Sequence, residues 1–346
     1  MSQTTASPTT ASPSHARDLE SLGLAAGSVA FIVAGILSVL VFQLDDAPIS
    51  GEGSVGQFAA ITSAVTAAIV FVAGRIILGV REGSRRLRVV DVIDIAALAF
   101  AHAVIALLSW TLIAVIMQDA FLDAQVYTIF VIVLPAAAAA VTAYLVFASA
   151  TNLDLLLLAV ILAGFLIEGV VASMLTASDP HWWKDNLSAL GMTNDLSAMT
   201  FNLTLIVAGV IVTTLSRYTT AQIPSPHVRG LRLVRLCLIL VGLFLACVGI
   251  FPVDQFFWVH TGFASGMAVV FGVLVMRLAH WIPGMPRPFI ALGWLFIAVI
   301  VVLAIFFAVG YYTLTAVELV AGVLVFSWII LFIRNAAALQ SDTTSS

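Results

Sequence analysis

"LLLLAVILAGFLIEGVVASMLT", residues 155–176, carries one ionisable side chain, Glu168, in twenty-two positions. At about 1.5 Å per residue a helix of this length reaches about 33 Å, enough to cross a hydrocarbon core about 30 Å thick. A helix satisfies its backbone hydrogen bonds internally, which lipid requires of any lone spanning segment. Similar runs recur outward from this one in both directions. We read ten spans: 22–43, 58–80, 94–117, 127–150, 155–176, 197–216, 233–251, 256–276, 288–309 and 314–333. The composition agrees, with 62% hydrophobic and 9% charged residues in 346, where a soluble domain has about a quarter charged. The fold class expected is all-α, a polytopic transmembrane helix bundle.

The division expected along the chain has four parts. Residues 1–20 are Ser/Thr/Pro-rich, lack the apolar core of a signal peptide, and read as a disordered tail. Residues 21–150 form a four-helix transmembrane region and 151–334 a six-helix domain. Residues 335–346 read as a second disordered tail. Cys237 and Cys247 share one span and face different sides of it, which rules out a disulfide between them.

The basic residues set the orientation. Thirteen arginines, among them those of "REGSRRLR" (81–88) and "RGLRLVR" (229–235), fall in or beside alternate loops and tails. The positive-inside rule makes those segments cytoplasmic, and with them both termini. Lys184, the one lysine, falls on the other side, in "HWWKDNLSALG" (181–191). Nine acids share that outer side: Asp45, Asp46, Glu52, Asp119, Asp123, Asp179, Asp185, Asp195 and Asp254. The location expected is the plasma membrane, a bacterial inner membrane. Arginines this close to a bilayer serve topology and attract anionic headgroups; they form no groove-reading face, so no nucleic acid partner is expected.

From the fifth span onward a series of short elements stands in order: "NLSALG" (186–191), Phe201 and Asn202 with Gly209 beyond them, "GIFPVD" (249–254), and His260. In these residues the chain resembles the bacterial domain of unknown function 998 family of six-helix membrane proteins. Ala189 stands where many members have an acid. The resemblance covers about 155–334. It implies a six-helix fold and an outer-face site, and no activity.

Ionisable and polar groups inside spans are costly in lipid and serve as functional candidates. Glu168 and Glu318 lie in the outer half by their distance from the helix ends, as do Asn202 and His260. They form the expected outer-leaflet pocket, with Lys184, Ser188 and Asp254 as loop and headgroup contacts. Each residue also has a plain reading. Glu168 and Asn202 can bond a neighbouring helix, Glu318 can reach the interface, and His260 can serve a helix start. Trp182 and Trp183 anchor at the interface, where Lys184 either pairs with Asp179, Asp185 or Asp195 or meets an anionic headgroup. His102 near the third span's midplane reads as a packing residue or a proton relay. Pro135 should kink the fourth span, and Gly262 with Gly266 should mark a close helix contact.

No HExxH, Walker A, GxSxG or dinucleotide fingerprint is present, and no Cys/His spacing suits a metal or haem. No cofactor, metal site or catalytic residue is assigned. The function expected is a multi-pass membrane protein, more a binder than an enzyme, whose pocket takes a lipid headgroup or small solute for binding or transport. The alternatives are a membrane enzyme acting on a lipid-linked substrate and an accessory subunit with a membrane-protein partner. Membrane lipids are partners in every case.

Overall fold

The computed structural model describes residues 13–81, 83, 88–122, 124–221, 223 and 227–344. Arg85 and Arg86 of the basic stretch 81–88 and the outer acid Asp123 lie outside them, as do the first twelve residues of the expected N-terminal tail. The described residues form ten α-helices: α1 Pro13–Phe42, α2 Val55–Arg81, α3 Val89–Ala120, α4 Thr128–Thr151, α5 Leu155–Leu175, α6 Leu196–Ala221, α7 Val228–Ile250, α8 Phe257–Trp281, α9 Arg287–Ala308 and α10 Leu314–Thr344. All ten are long and apolar enough to cross a membrane. The chain is an all-α, multi-pass membrane protein.

Helix extends into both segments expected as tails. α1 starts at Pro13, so residues 13–20 are helical. The Ser/Thr/Pro richness stops there, and a proline suits a first helical turn because that turn's N–H has no helical partner anyway. α10 runs through "NAAALQ" to Thr344. Alanine, leucine and glutamine are strong helix formers, and no glycine or proline follows the span to stop it.

The helices fall into two compact units. The first holds α1, α2, α3 from Ser109, and α4. There α1 and α2 pack on α4, whose Ala136, Ala138, Ala139 and Ala143 are fully enclosed. α4 runs on through the buried Pro135. Proline leaves the carbonyl four residues back without its helical donor. That carbonyl belongs to Val131, and the buried Ser38 hydroxyl of α1 donates to it at 2.7 Å. A short bridge, β1 Ala47–Pro48 against β2 Gln125–Val126, joins two loops of this unit. Two residues per strand leave no alternation to read, so the sequence carries no sign of it.

The second unit holds α3 up to Leu108 and α5–α10. α6 lies between α5 and α7, burying Phe201, Thr204, Val207, Ala208, Ile211 and Leu215. The contacts are close because small residues line them: a Cβ at Gly249 of α7 would lie 2.6 Å from the Asn202 carbonyl oxygen of α6. α8, α9 and α10 meet around Trp328, which packs against Phe271, Phe289 and Phe332 at centroid distances of 5.1–5.6 Å. At the end opposite the 176–195 loop, Arg217 of α6 bonds the buried Asp94 carboxylate of α3 at 2.9 Å. Gly266 of α8 receives the Phe244 ring as expected, but a Cβ at Gly262 would meet nothing within 4 Å. The first member of that small-residue pair, Gly262, makes no close contact.

Candidate functional site

The loop between α5 and α6 is held down at both ends. The buried Ser173 and Ser197 hydroxyls lie 3.0 Å apart, and Ser197 donates to the Ser173 carbonyl at 2.9 Å. Asp195 accepts from the Ser178 hydroxyl at 2.6 Å, the Thr193 hydroxyl and the Ala198 N–H, capping the start of α6. Partial burial of Asp195 opposes its ionisation, but these donors outweigh it and hold the carboxyl below its usual range. Within the loop, Trp182–Lys184 and Leu187–Gly191 each form a short 3-10 helix.

The second of these turns is the "LSALG" of the sequence, and three helices grip it. From α6, Asn202 Nδ2 donates to the Gly191 carbonyl at 3.1 Å. From α10, the Glu318 carboxylate accepts the Leu187 N–H at 2.6 Å. From α8, His260 Nε2 lies 3.0 Å from Ser188 Oγ. His260 is buried, and its Nδ1 lies 2.8 Å from the Phe251 carbonyl. That carbonyl ends α7, where Pro252 stops the helix and last-turn carbonyls lack helical donors. A carbonyl can only accept, so Nδ1 carries hydrogen. The neutral ring then offers a lone pair at Nε2, and the Ser188 hydroxyl donates to it.

Ser188, His260 and Glu318 sit at one end of a cavity of about 410 Å³. They are the only polar side chains among its described lining residues. Apolar residues of five helices make up the rest, including Phe201 and Leu205 of α6, Met267 and Phe271 of α8, Ile297 of α9 and Phe326 of α10. Along α8 the lining runs from His260 to Gly272, which at 1.5 Å per residue is about 18 Å. Exposed aromatic side chains mark the level of the polar end: Trp258 (83% exposed) and Phe257 at the start of α8, and Tyr311 (70%) and Tyr312 before α10. Such side chains gather where a bilayer meets water.

The sequence-predicted residues therefore divide. Ser188, His260 and Glu318 line the cavity together, and Asn202 stands behind them holding their loop. Glu168, half-buried on α5, Asp254, exposed in the α7–α8 turn, and Lys184 are not among its lining residues. Lys184 is exposed and lies 5.6 Å from the Trp183 ring centre; among the described residues the salt bridges of the loop do not include it. His102 is buried, its Nδ1 2.8 Å from the Leu98 carbonyl one turn back. Sequence reasoning missed the apolar lining and the Asp94–Arg217 pair. The pair had a signal, opposite charges at two span ends expected on the same side. The lining had none, because side chains facing a cavity and side chains facing lipid are equally apolar.

The segments that meet here are the ones that carried the family resemblance: "NLSALG", Asn202, "GIFPVD" and His260. A family model described as "Protein of unknown function (DUF998)" matches residues 159–335, more than half of the chain. The chain belongs to this family. No curated protein and no solved structure matches the chain. The cavity, its three polar residues and Asn202 all lie within the DUF998 segment, and α1–α4 precede it.

Proposed function

We propose that the DUF998 segment binds a single-chain membrane amphiphile, with its apolar chain in the cavity and its polar end at Ser188, His260 and Glu318. The carrying observation is the distribution of polarity: three polar side chains at one end, and apolar walls for about 18 Å below them. That depth compares with one leaflet of a hydrocarbon core about 30 Å thick. The volume of about 410 Å³ falls within the roughly 300–1,000 Å³ usual for small-molecule sites. A free polar solute would leave most of these walls without a partner. The arginine distribution supports an outward-facing polar end with both termini cytoplasmic, and the membrane in this reading is the plasma membrane.

Native mass spectrometry of the full chain, purified in mild detergent, tests the reading. The expected spectrum shows one bound lipid per chain. A Cβ at Gly272 or Gly322, both in the cavity wall, would meet nothing within 4 Å. A side chain at either position therefore has room at its Cβ and enters the cavity, and in a helix leucine also removes glycine's conformational cost of about 1 kcal/mol. Gly272→Leu and Gly322→Leu are expected to fold as well as the parent and to lose the lipid. Lipid that stays bound in both variants would place it elsewhere on the molecule and overturn the proposal.

A further inference from the structure

The amphiphile proposed above meets a serine whose hydroxyl is bonded to a buried histidine, and we infer that this pair makes the site an acyl-transfer centre for carboxylic esters of membrane amphiphiles. The inference rests on that binding reading and adds a reaction to it. Three features carry it. Ser188 Oγ and His260 Nε2 are 3.0 Å apart, within the about 2.6–3.2 Å that a nucleophile and its base need. The Phe251 carbonyl at 2.8 Å from Nδ1 holds the ring in the tautomer that leaves Nε2 free to accept a proton. This is the orienting task a buried carboxylate performs in a serine–histidine–aspartate triad. Both side chains line the cavity at its polar end. An ester at the head of a chain lying in the cavity comes within their reach.

Glu318 and Asn202 are positioning residues. Glu318 fixes the N–H of Leu187, next to the nucleophile, and Asn202 fixes the carbonyl of Gly191 at the other end of the same turn. Ser188 is thereby held from both sides on a turn of five residues.

The step balances without a cofactor. Ser188 Oγ bonds to the ester carbonyl carbon while its proton moves to His260 Nε2. The tetrahedral adduct collapses, the ester C–O bond breaks, and the departing oxygen takes the proton from Nε2 and leaves as an alcohol. Ser188 now carries the acyl group. Water, or the hydroxyl of a second amphiphile, attacks that acyl carbon and gives its proton to Nε2. Collapse returns the proton to Ser188 Oγ and releases a carboxylic acid or a new ester.

The test uses the full chain in mild detergent with a long-chain alkyl fluorophosphonate, which phosphonylates activated serines with loss of fluoride. Intact-mass analysis is expected to show one adduct per chain, and peptide mapping to place it on Ser188. Ser188→Ala takes none. His260→Asn keeps an N–H near the position of Nδ1 but removes the base, so its labelling slows about a hundredfold or more. No adduct, an adduct on another residue, or parent-like labelling of His260→Asn overturns the inference. Co-purified lipid, weighed in the same samples, separates the two readings. Lipid without an adduct leaves the binding proposal standing and removes the chemistry, whereas loss of both removes the binding proposal as well.

Discussion

Glu318 of α10 accepts the backbone N–H of Leu187 at 2.6 Å, a bond between residues 131 positions apart that ties the 176–195 loop to the last helix. The residue that fixes the loop also lines the cavity beneath it. An acid inside a span is therefore part of the architecture of the site.

Removing that carboxylate should loosen the loop before it affects the helices. Glu318→Ala leaves a backbone donor without its partner, a cost of about 1–3 kcal/mol. Glu318→Gln keeps an accepting oxygen and should recover much of the loss. Hydrogen exchange at residues 181–191 is the measure. Exchange should rise in Glu318→Ala, rise less in Glu318→Gln, and stay at the parent level along α6. Equal exchange in all three proteins would mean that the bond does not hold the loop.

The turn is gripped from α6 as well, and the fit there depends on a missing side chain. A Cβ at Gly249 would come within 2.6 Å of the Asn202 carbonyl oxygen and 3.1 Å of Ile206 and Leu205 side-chain atoms. Gly249→Ala must push α6 and α7 apart, and overpacking of this kind costs about 1–3 kcal/mol. A Cβ at Gly164 would meet nothing within 4 Å, so Gly164→Ala should be neutral or slightly stabilising. Thermal unfolding in detergent distinguishes them, with the first midpoint well below the second. Matching midpoints would contradict this account of the helix contact.

Much of this was readable beforehand, for a physical reason. A membrane span must be long, apolar and helical, so ten such segments could be placed from composition alone. Depth was readable too. Distance from a helix end put His260, Asn202 and Glu318 near one surface, and all three contact the same turn. Direction around the helix was not readable. Glu168 has the right depth but does not line the cavity, because a helix apolar on every side gives no stripe from which to infer its facing. Lys184 misled in another way. Its rarity drew attention to the right loop, while the polar groups lining the cavity are Ser188 and two residues far off in sequence.

Asp195 gives the loop a sensitivity to acid. Its folded-state carboxyl ionises below the ordinary value of 3.8 because the Ser178, Thr193 and Ala198 donors outweigh partial burial. A carboxyl depressed in this way stabilises the fold fully above its unfolded value and loses that stabilisation as pH falls through the folded one. The loss should begin near pH 3.8 and continue below it, with nothing changing from this source at neutral pH. Asp195→Asn should flatten that part of the profile. Tryptophan fluorescence of the loop, followed against pH, reports it through Trp182 and Trp183. Identical profiles for the two proteins would rule out Asp195 as the cause.

In the unit that holds α1 and α4, a serine stands in for a backbone N–H. Pro135 cannot donate to the Val131 carbonyl, and the Ser38 hydroxyl does so from α1 at 2.7 Å. Both groups are out of reach of water, so Ser38→Ala leaves the carbonyl unsatisfied at a cost of about 1–3 kcal/mol. Pro135→Ala supplies the missing N–H from within α4. In that background the carbonyl has a second donor, and Ser38→Ala should cost less than it does in the parent. The four proteins form a double-mutant cycle, read as unfolding midpoints in detergent. A coupling close to zero would mean that Ser38 stabilises α1 by packing alone. A clear coupling would show that α4 retains its proline inside the membrane because a neighbouring helix completes its hydrogen bonding.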